Sequence, residues 1–328
     1  MAPKVALNYT GAQKARGRPS PGFAERIGSM KTANAAITPS YVASFDVEEH
    51  HRIEAAAGLT VPAERQREYA ARMDATTRRL LDQLAAAGVK ATFYIVGEIA
   101  TTHPELVRAI HAAGHEVGSH SWDHRRVHRF DPKSFREDLM RSKDALEQVT
   151  GERVYGFRAP TFSVVRETAW AVDVLAECGF EYDSSIFPVR HDRYGIPDAP
   201  RTPFIAVGAQ RELLELPPLT YRVLGMNLPV AGGGYFRLFP PAVMRAGLRQ
   251  ARTMAMLYFH PWEFDPEQPR LPLGRLSRWR TYVGVGKTTE RLNRLLTAYP
   301  FRRAIDAVRE LRTESLPRFR VASDAQTA

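Results

Sequence analysis

The sequence predicts an α/β fold in which parallel strands close into a barrel. Short apolar segments alternate with amphipathic ones from residue 41 to about residue 265, the pattern of successive βα units around a parallel sheet. The repeat runs too long for a small open sheet. Four of the strand segments also end in polar clusters, where parallel barrels place their chemistry.

The elements follow in order. Residues 41–45 are apolar and read as the first strand. Apolar positions at helical spacing over 68–87 predict a helix stopped by Gly88, and the β-branched and aromatic run 89–96 a strand. A second helix spans 104–113, with Pro104 at its start and Gly114 as its stop. Residues 115–119 read as a strand, 132–149 as a helix closed by Gly151, and 154–158 as a strand. A helix over 167–177 ends at Gly179, and 180–183 is a strand. Residues 187–235, rich in Pro and Gly, are predicted to form long active-site loops. A helix over 241–253 and a strand over 256–259 restore the alternation, and a last helix over 288–311 is expected to pack outside the barrel.

Composition sets the outer bounds. The chain has 328 residues, 44% of them hydrophobic and 25% charged, enough for a sizeable core. No apolar run is long enough to span a membrane, and the basic N-terminus lacks the apolar run of a secretory leader, so the cytoplasm is the expected compartment. The single cysteine, Cys178, lies in an apolar stretch and reads as a core thiol. The net charge of +10 invites a nucleic-acid reading. Its distribution argues against one: residues 1–40 carry +5 and residues 270–328 carry +8, leaving −3 for the middle, where the polar clusters lie. Residues 1–40 are expected to be a disordered basic segment.

The clusters suggest metal-assisted chemistry. Asp46 and Glu48 are two apart, so on an extended strand they point the same way, suiting one metal ligand and one general base. His120 and His124 are four apart, one face of a helical turn, and neutral imidazoles suit zinc or a similar ion. Arg158, before Ala159 and Pro160, can grip a carboxylate in bidentate fashion. His260 follows an apolar strand and is placed for general acid work. Gly284–Thr288 resembles the end of a phosphate-binding loop, but position 281 is Thr where that motif needs Gly, so it reads as a turn.

Taken together, the acidic pair, the His-Ser-x-x-His run, the Arg-x-Pro run and the late strand-end His resemble the polysaccharide deacetylase family (NodB homology, carbohydrate esterase 4) over about 41–265. Phe45–Glu48, Gly232–Arg237 and Phe259–Phe264 look like the exosortase-associated deacetylases of exopolysaccharide loci. The resemblance implies a distorted (β/α)7 barrel, here with a C-terminal helical extension over 266–328, and one divalent ion, zinc first among those that two histidines and a carboxylate accept. It implies Glu48, His120 and His124 as metal ligands, Asp46 as base, Arg158 as its orienting partner and His260 as acid. The family pattern more commonly has adjacent aspartates; here Val47 separates the acids, and Glu49 and His50 stand as local substitutes. Pro160, Asp183, Tyr235 and Trp262 are expected at the substrate site, with Tyr155, Phe157 and Trp122 as further candidates for stacking on sugars.

The implied partner is an N-acetylated glycan, with no nucleic acid and no membrane span; oligomeric state stays open, a homo-oligomer included. Two other readings compete: an allantoinase-like hydrolase of a small cyclic amide on the same fold, and a barrel that binds glycan or metal without turnover.

Overall fold

Strand β1 (Ser40–Val47) sets the plan of the molecule. Its side chains alternate between two environments, as the pleat requires. Val42 joins a small apolar cluster with Tyr94, Tyr182, Leu214, Leu216, Met254 and Met256. Ala43, Phe45 and Val47 join the large cluster that includes the helices. The first set fills the inside of a barrel; the second packs its outside against a helical coat. Phe45 stacks on Phe93 with centroids 5.0 Å apart, and each such buried ring contributes ~1.5–3 kcal/mol.

The computed structural model describes residues 39–322. After β1 come β2 (Thr92–Ile95), β3 (Glu116–Ser119), β4 (Gly156–Phe157), β5 (Tyr182–Asp183), β6 (Phe204–Val207), β7 (Glu212–Glu215), β8 (Thr220–Val223), β9 (Met226–Pro229), β10 (Met254–Phe259), β11 (Phe301–Arg302) and β12 (Arg318–Arg320). The helices are α1 (Ala63–Ala86), α2 (Gly97–Thr102), α3 (Pro104–Ala112), α4 (Pro132–Thr150), α5 (Ala171–Glu177), α6 (Gly233–Leu238), α7 (Pro241–Gln250), α8 (Arg275–Tyr282), α9 (Thr288–Ala298) and α10 (Ala304–Glu310). Local signals fix several ends. Asp131 caps α4 by accepting from Ser134 N, Pro132 takes the first turn, and Gly151 closes it at φ 70°.

Seven parallel strands form the barrel wall in the order β10-β1-β2-β3-β4-β5-β7. The ladder is not closed. Beyond β7 the chain passes through Pro217 and Pro218, which have no N–H to donate. Contact with β10 there shrinks to a Pro218–Met256 bridge, with Leu219 N donating to Met256 O at 2.9 Å. A little further on, Gly232 bridges Tyr258, and a Cβ at Gly232 would stand 1.6 Å from Tyr258 O. Only glycine permits that approach. Gly156 serves the interior in the same way, since a Cβ there would overlap the Tyr182 ring.

Several expectations need correction. Residues 187–235 are not all loop: β6 and β7 pair antiparallel, and β8 and β9 form a hairpin around Leu224 and Gly225, both at positive φ. Leu-Gly is not among the usual turn dipeptides, so the hairpin left little trace in the sequence. The last helix is two, because Pro300 breaks it; β11 follows and pairs β1. The extension is therefore not purely helical: β12 also joins the sheet beside β6. The expected disordered segment over 1–40 lies, apart from residues 39 and 40, outside the described residues; residue 40 already opens β1.

Nor does all of 288–311 pack outside the barrel. The start of α10 caps its N-terminal end. Ala304 N donates to Thr92 Oγ1 at 2.7 Å, and Ile305 N to Glu116 Oε2 at 2.9 Å. Tyr182 OH donates to the other Glu116 oxygen at 2.8 Å. This plug leaves the C-terminal strand ends as the open face.

Candidate active site

The inward positions of the wall carry the site. Asp46 lies near the end of β1 and Glu48 just follows it, His120 follows β3, Arg158 follows β4, Ser184 follows β5, and His260 follows β10. Asp46, Glu48, His120 and Arg158 are each at most 2% exposed. His120 and His124 converge, but not on a helical turn. The chain between them is irregular, with Ser121 at φ 68° and His124 at φ 66°. Non-glycine residues held there cost of order 1–3 kcal/mol each, a strain that clusters at functional sites.

Glu48, His120 and His124 offer one ligand atom each within 4.8 Å of one another. Among the described residues no other three His, Cys, Asp or Glu side chains do so. His120 Nδ1 lies 2.7 Å from the Arg158 carbonyl; donating there, it leaves Nε2 a bare lone pair. Glu48 Oε2 and His124 Nε2 touch, yet Oε2 is buried without an oriented hydrogen bond. Burial would raise the Glu48 carboxyl, but His124, His260 and His120 outweigh it and hold it at about 2. Burial depresses His120 to about 4. At neutral pH the carboxylate is thus ionised and that imidazole neutral, as metal ligation requires. An N2O donor set with an orphaned carboxylate oxygen fits a divalent cation such as zinc. The local substitutes are engaged elsewhere: Glu49 pairs with Arg52 Nε at 2.5 Å, and His50 Nε2 meets Tyr282 OH at 2.9 Å.

Asp46 sits between two partners. Arg158 Nη1 holds Oδ1 at 2.7 Å and Ser44 Oγ at 2.8 Å, while Nη2 and Nε go to Ser184. The grip is monodentate, not the expected bidentate one. Oδ2 is left 3.9 Å from His260 Nε2, which also stands 3.9 Å from Glu48 Oε1. On the far side of the imidazole, Nδ1 meets Glu263 Oε1 at 2.8 Å. Glu263 is bound in turn by Arg237, whose Nη1 donates to the Thr281 and Val283 carbonyls. Burial would depress His260, but the Glu263 hydrogen bond and the charges of Glu263, Glu48 and Asp46 lift it to about 9.

Asp46, Glu48, His120, His124 and His260 line a cavity of about 700 Å³, within the range of ligand clefts. Tyr235 and Trp262 line it, as do Tyr194 and Trp279, which sequence reasoning passed over. The buried Trp262 Nε1 has no hydrogen-bond partner among the described residues. Pro160 and Asp183 do not line the cavity. Asp183 works behind the wall: it accepts from Ser184 N at 2.8 Å and Ser185 Oγ at 2.5 Å beside the buried Glu215. Burial raises both the Asp183 and the Glu215 carboxyls above their ordinary range. Trp122 lies under the Arg141 guanidinium, 3.8 Å from its centroid, and Phe157 is in the core. Tyr155 packs at the plugged end with Val308 and Leu311. None of these three is placed to stack on a sugar.

Glu263, the partner of His260, and Arg237, the partner of Glu263, stand in the sequence only as parts of subgroup motifs. The one signal for Glu263 is its place three residues after His260, which a single tight turn brings back to the ring.

Residues 69–182 match the polysaccharide deacetylase family, and residues 184–309 match a domain of unknown function, DUF3473. A peptidoglycan-N-acetylglucosamine deacetylase from Bacillus cereus is 28% identical over 30% of this chain and 36% of its own length. A chitin deacetylase from Pestalotiopsis sp is 31% identical over 32% of this chain and 36% of its own. The chain spans about a third of the length of these curated relatives. Among solved structures, a protein from Mycobacterium smegmatis described as a polysaccharide deacetylase superposes with TM-score 0.61 at 23% identity, over 89% of this chain and 96% of its own. An allantoinase superposes with TM-score 0.57 at 17% identity, over 84% and 91%. Both likenesses are of fold. Over residues 69–182 the chain is similar to the polysaccharide deacetylase family, within a mixed α/β fold whose parallel strands form an open barrel wall.

Proposed function

We propose that the protein is a metal-dependent N-deacetylase of an N-acetylated glycan. One observation carries the reading: Asp46 and His260 face each other beside the Glu48-His120-His124 cluster, each held from behind by its own buried partner.

Glu48, His120 and His124 would hold the ion. When bound, a divalent cation supplies Lewis acidity, activating water and polarising the acetamide carbonyl. Asp46 takes the proton of the attacking water through Oδ2, the oxygen that Arg158 leaves open. Arg158 keeps that carboxylate from rotating, since Ser44 and Ser184 fix its guanidinium. His260, charged at neutral pH, gives its Nε2 proton to the departing amine. Glu263 fixes the tautomer and orientation of that ring. Acetate and the free amine leave. The aromatic side chains Tyr235 and Trp279 offer faces for sugar rings, while Trp262 backs the His260 ring.

Zinc is the proposed ion. A small cyclic amide as substrate is the competing reading, and the shared fold does not choose between them. The cavity volume favours the larger glycan. An exopolysaccharide precursor handled in the cytoplasm is the proposed setting; among the described residues no helix is long and apolar enough to cross a membrane.

The test is acetate release from a panel of N-acetylated glycans, with and without a chelator, beside turnover of allantoin. Chelator-sensitive acetate release and no allantoin turnover are expected. Allantoin turnover without acetate release would replace the glycan reading.

A further inference from the structure

Deacetylation explains the floor of the cavity but not one of its walls. Arg190, Arg193 and Arg280 all line the cavity, and all three are exposed. They come from two elements far apart in sequence, the loop after β5 and helix α8. Both elements face the same cavity.

The wall is short of negative charge. Four carboxylates line the same cavity. Asp46 is held by Arg158, Glu48 belongs to the ligand cluster, and Glu54 lies 2.7 Å from Arg126. The fourth, Asp192, stands 4.0 Å from Arg193 and 3.0 Å from His191. Arg190 and Arg280 form no ion pair among the described residues, whereas surface arginines such as Arg78 and Arg302 do. On a convex surface such arginines would be ordinary solvated side chains. Gathered on a concave wall, they raise the local positive potential.

The loop that carries two of them is held in place. Tyr194 stacks on His191 with centroids 4.0 Å apart and on Phe187 at 5.8 Å. Arg126 Nη2 donates to the Arg193 carbonyl at 3.0 Å. All three arginines fall within residues 184–309, the stretch matched by the domain of unknown function, whereas Glu48, His120, His124 and Arg158 all precede it.

We propose that this wall is an anion subsite, and that the glycan deacetylated here carries a carboxylate or phosphate on a sugar flanking the N-acetylated one. Guanidinium forks pair with either group. The proposal rests on the deacetylase reading of the floor.

The test compares three N-acetylated oligosaccharides of similar length with the metal-loaded protein: chitotetraose, an alternating N-acetylglucosamine–glucuronate tetrasaccharide, and a phosphodiester-linked N-acetylglucosamine oligomer. Acetate release gives kcat/KM, and calorimetry gives Kd independently of turnover. At least one anionic ligand is expected to exceed the neutral one by about tenfold or more in Kd and kcat/KM, as a charge-assisted contact provides. The anionic arm that is preferred identifies the group. In the Arg190→Ala/Arg280→Ala variant the anionic-to-neutral ratio is expected to fall to near unity. Both side chains are exposed, so folding is not at risk. Equal handling of neutral and anionic glycans, or a preference that survives the double variant, would overturn the inference. Anionic preference in binding without acetate from any glycan would instead overturn the deacetylase reading and leave the subsite standing.

Discussion

Glu263 Oε2 lies 2.7 Å from Arg237 Nε, with the two side chains at most 1% exposed, and the other Glu263 oxygen holds His260 Nδ1 at 2.8 Å. A buried ion pair therefore stands directly behind the proposed acid.

Glu263→Gln keeps the shape and removes the charge. His260 owes much of its rise to about 9 to that carboxylate. The imidazolium is the acid, so activity should persist toward pH 9 and fall as the ring deprotonates. In the variant the alkaline limb of the pH–rate profile should move to lower pH, with kcat at neutral pH down about tenfold or more. An unmoved alkaline limb would remove Glu263 from the acid's support. Arg237→Met should instead act on stability, since it removes one of the two cationic partners of a buried carboxylate; losses of this kind run up to about 3–5 kcal/mol, read as a lowered Tm.

Asp46→Asn should abolish acetate release while leaving one divalent ion bound per chain. The base contributes on the order of 10²–10⁴-fold, and Asp46 is outside the ligand cluster. Elemental analysis beside the acetate assay checks both parts. Retained activity would sink the assigned role.

His124→Ala should do the reverse of that separation. It removes a ligand atom, so bound metal and activity should be lost together, by at least about tenfold in metal affinity. Metal titration by calorimetry reads this directly. Activity in the wild-type protein should vanish on chelation and return with added zinc.

His115 gives a pH dependence remote from the ligand cluster. It is 2% exposed, its Nδ1 accepts from Ala91 N at 3.0 Å, and burial holds it at about 4. The unfolded chain binds its proton near pH 6.5. Its stabilising contribution is therefore full above pH 6.5 and drains away as pH falls toward 4, by at most about 1.4 kcal/mol per pH unit. Chemical denaturation of the wild type and of His115→Gln at pH 7 and pH 5 should show a smaller pH difference in the variant. Equal differences would mean the imidazole is not titrating in that window.

Much of this protein is legible along the chain because its signals are local. The α4 helix is announced by Asp131, Pro132 and Gly151. The inward carboxylates of β1 follow from the two-residue period of any strand. The ligand candidates Glu48, His120 and His124 and the acid candidate His260 could be named because each lies just beyond an apolar strand.

What the chain could not show depends on distant partners. That Glu49 and His50 are engaged away from the cluster depends on Arg52 and Tyr282, the latter more than 200 residues away. The role of Ser184, rather than Asp183, follows from the position of the Arg158 guanidinium inside the barrel. The break at Pro300 could be read locally, but not that α10 would cap the barrel on Thr92 and Glu116. Period and punctuation in sequence thus fixed the barrel and the types of side chain at its rim. Only tertiary structure decided which of those side chains meet, because buried polar groups take their partners from whichever strand the closing wall brings within about 3 Å.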